Sequence, residues 1–286
     1  MTVQSPPALT AFGALLRQWR AQRRLSQFDL SVATGVSARH CSRIETGRAE
    51  PSRHMVLRLA EALDVPLRER NALLVAAGYA PAWAETDYWD ERLAAAREAI
   101  ALILEHHEPL PAVVVDRYGN LLDHNAGLAP LLDEVDPGLL GGRVNLATLA
   151  LHPRGLAPRL RNFAEVRQYF HDRLRAQADI ADDERLTELI AEVSAREPVG
   201  EDDLKERASS PFALPIRLRT ARGELSLFST IATFGAPRDI TVAELAVELF
   251  FPLDEATARV FAEAAAGGES GGIAGVEPVR PHRAAD

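Results

Sequence analysis

Cysteine and lysine are almost absent from this sequence. Its 286 residues include one cysteine, Cys41, and one lysine, Lys205. A single cysteine excludes an internal disulfide bond, which is typical of proteins in a reducing compartment. We interpret the preference for arginine over lysine as a result of genomic base composition rather than of mechanism.

Long apolar runs are also missing. No stretch approaches the roughly 20 apolar residues that a membrane span requires, and no basic and apolar leader opens the chain. The hydrophobic content of 47% is nevertheless enough to fill a core. We therefore expect a soluble cytoplasmic protein of one large or two ordinary domains, with no membrane partner.

Charge is divided unevenly along the chain. The net charge is -9, but residues 1–80 contain eleven arginines and six acidic residues and carry +5. The remainder therefore carries -14. This division predicts two units with different partners.

Residues 1–80 have the pattern of five short helices. Ser26 and Asp29 form a capping box that opens a second helix, and Gly35 ends it. Ser37 and Gly47 bound a third helix in the same way. Apolar spacing and proline positions predict the other three helices over about 12–25, 52–63 and 66–78.

The second and third of these helices have the arrangement of a helix-turn-helix, whose second member enters the DNA major groove. The stretch VSARHCSRIETGRAEPS at residues 36–52 carries Arg39, Arg43 and Arg48, and Arg53 follows. Arginine can bond guanine O6 and N7 together. The alternative is a merely solvated helical face, but the caps and glycines at this spacing favour DNA binding.

Residues 25–52, LSQFDLSVATGVSARHCSRIETGRAEPS, resemble the XRE/Cro-type repressor family, and the likeness covers about residues 10–80. Cys41 and Ser31 depart from it, because the family usually has a large aliphatic residue and a small apolar residue there. The likeness rests on Ser26-Gln27, Leu30, Gly35, Val36-Ser37, Ile44, Glu45, Gly47 and Pro51-Ser52.

The resemblance implies a role for each matching position. Ala38, Arg39 and Arg43 are expected to reach base edges, with Ser37 and His40 flanking them. Gln27, Arg48 and Arg53 are expected to contact phosphates, which position the protein without reading sequence. Arg20 and Glu45 match a structural ion pair of the family.

The pattern beyond residue 86 is that of an α+β domain with an antiparallel sheet. Apolar spacing predicts helices over about 89–107, 156–177 and 186–193. Alternation predicts a strand pair within 111–124 and a hairpin over 214–234 that turns at Arg222-Gly223. Residues 244–251 favour a further strand, although Thr241 and Glu244 could cap a helix instead. We expect the tail, residues 267–286, to be disordered.

This second region resembles the ligand-binding domain of MmyB-like regulators. The likeness rests on the Gly78-Tyr79-Ala80-Pro81 exit, the strand at 111–116, Asn145-Leu146-Ala147 leading to His152-Pro153, and Phe250-Phe251-Pro252. It implies a PAS-like fold with a pocket for a fatty acid or a similar apolar small molecule. We accordingly divide the chain into a helix-turn-helix domain at 8–80, a ligand-binding domain at 86–265 and the tail.

Strand alternation and helical stripes give candidates for the pocket wall, although each of them could equally be ordinary core. His152 or Arg159 is the candidate partner for a carboxylate head. The apolar and aromatic candidates are Val113, Val115, Leu146, Leu149, Leu160, Phe163, Tyr169, Leu227 and Phe228.

Enzymatic patterns are weak. Residues 268–272, GESGG, match a nucleophile elbow, but the flanking strand and helix that it requires are not predicted. His106 and His107 are adjacent on a helix and point about 100° apart, so they do not complete a zinc set. We predict no enzymatic activity, no metal and no cofactor.

The sequence thus predicts a DNA-binding transcriptional regulator whose second domain senses an apolar ligand. One helix-turn-helix buries little surface, so we expect a homodimer that reads two half-sites. The alternative is that the second domain is a dimerisation or protein-interaction module without a ligand.

Overall fold

The computed structural model describes residues 11–178, 183–197 and 213–267. The chain forms two compact units. The first comprises Met1–Thr86 and Pro237–Ala243, and the second comprises Asp87–Ala236 and Glu244–Asp286. The GESGG pattern and the expected disorder of residues 268–286 fall outside the described residues.

The first unit contains the predicted five-helix bundle, which is confirmed. Leu16, Leu30, Ile44 and Leu59 come from four different helices and are fully buried in its core. The helices are α1 Ala11–Gln22, α2 Gln27–Thr34, α3 Ala38–Glu45, α4 Arg53–Ala62 and α5 Leu67–Ala76.

The caps of α2 and α3 lie where the sequence places them. The Ser26 hydroxyl accepts the Asp29 backbone N–H at 3.1 Å, and the Asp29 carboxylate accepts the Ser26 backbone N–H at 2.8 Å. The Ser26 hydroxyl also donates to this carboxylate at 2.6 Å, and the two bonds that the carboxylate accepts from Ser26, from the hydroxyl first and the backbone N–H second, lower the pKa of Asp29. Gly35 ends α2 with a φ of 65°, a left-handed conformation that favours glycine. The Ser37 hydroxyl then caps α3 by accepting the His40 N–H.

The second unit is built on a five-stranded antiparallel sheet with helices on both faces, so the predicted α+β class is confirmed. Its strand order is β2-β1-β5-β4-β3. In chain order its elements are α6 Ala94–His106, β1 Ala112–Val115, β2 Leu121–His124, α7 Ala129–Leu132, α8 Leu146–Leu151, α9 Phe163–Ala178, α10 Glu184–Ser194, β3 Ile216–Thr220, β4 Gly223–Ala232, β5 Ala246–Pro252 and α12 Glu255–Ala266. A short helix before β5, α11 Ile240–Glu244, belongs to the first unit except for its last residue.

Alternation along β1 divides the core of the second unit between the two faces of the sheet. Val113 and Val115 belong to a large apolar cluster that includes residues of α7, α8, α9 and α10. Val114 packs in a second cluster with Ile100 and Leu104 of α6. All four residues of β1 are buried, as expected for a strand covered on both faces.

Two predicted elements differ from the structure. The helix predicted over 156–177 is interrupted, because Leu160 is extended and forms a bridge with Leu218 of β3 before α9 begins at Phe163. The strand favoured over residues 244–251 is present, and the alternative helix capped by Thr241 is not, because the short α11 already begins at Ile240 and Asp239 accepts the Thr241 N–H. Helix α11 ends at Glu244, and β5 starts at Ala246.

Candidate functional site

Helix α3 presents its arginines on the face opposite the bundle core. Cys41 and Ile44 are fully buried, whereas Arg39 and Arg43, one turn apart, are exposed. Residues at i and i+4 lie on the same face of a helix, so these two guanidinium groups project together. Ser37 is exposed at the N-terminus of α3, and Ala38 and His40 are half-buried beside it. The structure therefore brings all five predicted base-contacting residues to the first turns of one helix.

The two further arginines of the predicted interface are also exposed. Arg48 follows α3, and its carbonyl lies 3.4 Å from an Nη of Arg43. Arg53 is the first residue of α4, next to the cap that Ser52 provides. Neither side chain packs in the bundle core, so both guanidinium charges lie at the surface.

Gln27, the predicted phosphate contact at the start of α2, donates its side-chain N–H to Glu45 at 2.8 Å. The same buried carboxylate accepts two bonds from Arg20, at 2.6 and 3.0 Å. The hydrogen bond with Glu45 raises the pKa of Arg20. Arg20 also donates to the carbonyl of Leu25. The expected Arg20–Glu45 ion pair is therefore present in the structure, and it ties α1 to α3.

The second unit encloses a cavity of about 370 Å³ on one face of the sheet. Val113, Glu248 and Ile231 are cross-strand neighbours on β1, β5 and β4 and form one row of its wall. Ser229 and Phe250 form the next row. The helices that cover this face contribute Leu131, Leu132, Leu146, Leu149, Ala150, Val166, Tyr169 and Phe170.

One part of this largely apolar wall carries the polar side chains of Tyr169, Ser229 and Glu248. We call these three residues and Arg173, which bonds Glu248 but does not line the cavity, the polar end. The buried Glu248 carboxylate accepts bonds from the Ser229 hydroxyl at 2.8 Å and from Arg173 at 3.1 Å. Arg173 also donates to the Tyr169 hydroxyl at 3.2 Å. Burial opposes the charge of Arg173, but Glu248 and Tyr169 outweigh it and raise its pKa. Burial raises the pKa of Tyr169.

Comparison with known proteins assigns both units. A helix-turn-helix domain family matches residues 11–73, which span α1 to α4 and most of α5. The MmyB-like transcription regulator ligand binding domain matches residues 96–264, more than half of the chain. The chain belongs to the MmyB-like transcription regulators. Both resemblances expected from the sequence are thereby confirmed.

A curated relative supports the assignment of the first unit. The chain is 40% identical over 72 residues to the HTH-type transcriptional repressor RghR of Bacillus subtilis (strain 168). That match covers 25% of this chain and spans about half (51%) of the relative's length. Together with the family match, this similarity identifies the first unit as the helix-turn-helix domain of this MmyB-like transcription regulator.

Six of the predicted pocket residues line the cavity: Val113, Leu146, Leu149, Leu160, Tyr169 and Leu227. Val115 and Phe163 lie instead in the apolar cluster behind the wall. Phe228 stacks on Phe251, its cross-strand partner, with ring centroids 5.3 Å apart. It follows Leu227 on β4, and successive strand residues face opposite sides of a sheet, so the two do not share the cavity.

The two candidate partners for a carboxylate head are not part of the cavity wall. Arg159 is buried, donates to the carbonyl of Leu131 at 2.8 Å and lies 3.9 Å from the Glu134 carboxylate. The ring of His152 accepts the backbone N–H of Arg154 at 3.0 Å. Contacts with α7 and Glu134 therefore hold Arg159, whereas a contact two residues along the chain holds the His152 ring.

Apart from Tyr169, the residues of the polar end were not predicted from the sequence. A signal was present, because Glu248 interrupts the apolar strand AVELFFP of β5. Ser229 and Glu248 both occupy inward positions beside predicted wall residues. Arg173 is 75 residues from Glu248, so no local pattern links the pair.

The adjacent histidines His106 and His107 both contact backbone carbonyl groups. The ring of His106 bonds the carbonyl of Leu102, and that of His107 bonds the carbonyl of Phe250. In residues 11–178, 183–197 and 213–267, no group of three or more His, Cys, Asp or Glu side chains is placed to hold a metal ion. No helix in this same part of the chain is long and apolar enough to cross a membrane.

Proposed function

We propose that α3 enters the major groove of double-stranded DNA and that Arg39 and Arg43 read base edges there. The observation that carries this proposal is the exposure of both arginines on a helix whose opposite face is locked into the bundle. Ser37, Ala38 and His40 flank them, and an alanine methyl group can contact a thymine methyl group. Gln27, Arg48 and Arg53 contact phosphates and set the register.

Three alanine variants test this assignment. Arg39→Ala and Arg43→Ala should each weaken binding to a preferred duplex by about 1–3 kcal/mol and relax base preference at the positions they read. Gln27→Ala should weaken all sequences alike. Binding is measured by fluorescence anisotropy against duplexes selected from a random pool. Arg175→Ala, which removes an exposed arginine of α9, is the matched control. A uniform loss from all three test variants would refute base reading by α3.

We further propose that the cavity of the second unit binds an apolar small molecule such as a fatty acid, and that the DNA-binding unit responds to it. A volume of about 370 Å³ lies in the range of small-molecule sites, and its wall is mainly leucine, valine and phenylalanine. The antiparallel sheet with helices across its face also supports the PAS-like description of this domain.

Native mass spectrometry separates this proposal from a ligand-free interaction module. Gently purified chain should retain a mass of lipid size. Ala150→Phe fills the cavity and should abolish that mass, whereas Ala262→Phe on the exposed face of α12 should keep it. Consistent absence of the mass from the unaltered chain would favour the module instead.

A homodimer completes the proposed mechanism. Two copies of α3 about 34 Å apart, or a multiple of that distance, would read two half-sites on one face of DNA in the cytoplasm. Ligand binding then changes the spacing or order of the two DNA-binding units, which requires a different ligand affinity in the two states. We assign the dimer contacts to the second unit and propose no catalytic step.

A further inference from the structure

We propose that the polar end selects ligands whose head is a neutral hydrogen-bond donor, a hydroxyl or an amide, over ligands with a carboxylate or an ammonium head. This inference rests on the proposed ligand pocket and revises the ligand proposed for it: a neutral compound with the same kind of alkyl chain, such as a fatty alcohol or a fatty amide, takes the place of the fatty acid. It assigns Glu248 as the group that determines specificity.

Glu248 is placed to accept a bond from a ligand. It is the one ionisable acid among the described residues of the cavity wall, and it is 3% exposed. One carboxylate oxygen accepts from Ser229 and the other from Arg173. A carboxylate offers about four lone-pair sites, so two protein donors leave room for a third donor from the cavity.

A ligand carboxylate fits this end poorly. It would bring a second negative charge beside Glu248, in a wall otherwise built from apolar side chains, where an unpaired charge is costly to bury. The only cation bonded to the polar end in the described chain is Arg173, and it already balances Glu248 at 3.1 Å. The buried Arg159 does not line the cavity either, and it donates to the carbonyl of Leu131.

A ligand ammonium fits no better. The charge of Glu248 is already balanced by Arg173, so an ammonium would enter as an uncompensated positive charge and lose its hydration. A hydroxyl or an amide has a smaller desolvation cost and can donate to Glu248. The ion pair therefore makes the polar end an acceptor without net charge.

The test compares three probes with the same alkyl chain: dodecanol, dodecanoate and dodecylammonium. Each is used to displace the neutral dye Nile red from the full-length chain, with Ala150→Phe defining the signal from the cavity. Dodecanol should bind at least about tenfold tighter than either charged probe. Glu248→Gln leaves Arg173 unbalanced, so the ratio of dodecanoate to dodecanol affinity should rise about tenfold or more. The exposed Glu263→Gln on α12 should leave that ratio unchanged.

The outcomes separate this inference from the proposed pocket. Dodecanoate binding as tightly as dodecanol to the unaltered chain would overturn the head-group selection while leaving the pocket in place. Failure of every probe to displace the dye would overturn both. If Glu248→Gln does not fold, Arg173→Met replaces it in the test. This variant leaves Glu248 unbalanced, so the ratio of dodecylammonium to dodecanol affinity should rise. An unchanged ratio would overturn the role of the ion pair.

Discussion

At the scale of single residues, the position of α3, the helix proposed to read DNA, depends on one buried carboxylate. Glu45 ends α3 and gathers three donors, two from Arg20 and one from Gln27. These contacts join the end of α3 to α1 and to the start of α2. The side chains proposed to read DNA, Arg39 and Arg43, are exposed. The Arg20–Glu45 pair at the end of α3 therefore sets the orientation of the helix that carries them.

Glu45→Ala should destabilise the first unit by about 3 kcal/mol, because it leaves the largely buried Arg20 guanidinium without its partner. Cys41 gives a specific measurement, since it is the single cysteine and is fully buried in this unit. The rate of labelling of its thiol by Ellman's reagent reports opening of the bundle and should rise about a hundredfold. The exposed Glu50→Ala is the control, and equal rates for the two variants would show that the ion pair contributes little.

Arg48 and Arg53, which are proposed to contact phosphates, should affect the salt dependence of DNA binding rather than the base preference. Arg48→Ala and Arg53→Ala should each reduce the slope of log affinity against log salt concentration by about 1, with no change in base preference. Anisotropy titrations of a preferred and a scrambled duplex at several salt concentrations measure both quantities. A variant that changes preference but not the slope would have to be moved to the base-reading group.

At the scale of elements, the bounds of a helix could be predicted from residues close together in sequence. Contacts between residues far apart in sequence could not. Ser26, Asp29 and Gly35 fix α2 through contacts within a few residues, so the sequence alone indicates its bounds. The pocket wall depends on which face of β4 meets the covering helices. The sequence pattern therefore predicted both Leu227 and Phe228 as pocket residues, although neighbours on a strand cannot both face the cavity. The Arg173–Glu248 pair was missed because folding, not spacing, brings its members together.

Helix α1 approaches the end of α3 closely at Gly13, which has no side chain. A Cβ added at Gly13 would lie 2.6 Å from the carbonyl oxygen of Glu45, so the two helices would have to separate. Replacing glycine by alanine within a helix ordinarily stabilises it by about 0.5–1 kcal/mol. Here we expect Gly13→Ala to destabilise the first unit by about 1–3 kcal/mol, as overpacking does.

The same thiol-labelling assay measures this change. Gly235→Ala is the control, because a Cβ there meets nothing within 4 Å. Slower labelling of Cys41 in Gly13→Ala than in the unaltered chain would contradict the close approach of α1 to α3.

At the scale of the whole molecule, the chain joins an arginine-rich helix-turn-helix unit to an acidic unit with a cavity. Residues 1–80 carry +5 within a chain of -9, so attraction to DNA is confined to one end of the sequence. The acidic remainder gives little nonspecific affinity for phosphate. Regulation by a ligand then requires energetic coupling between two sites that lie in separate units.

Coupling between the ligand site and the DNA site is reciprocal. If saturating dodecanol changes the affinity of the chain for a selected duplex by some factor, saturating duplex must change the affinity for dodecanol by the same factor. Couplings of about 1–3 kcal/mol are usual, so we expect a change of about 5-fold to 150-fold. Anisotropy measures the first affinity and Nile red displacement the second. Ala150→Phe should still bind the duplex but ignore dodecanol. A duplex affinity that stays constant while dodecanol demonstrably fills the cavity would mean that both states bind the ligand equally, and the second unit would then be a binding module that does not control DNA binding.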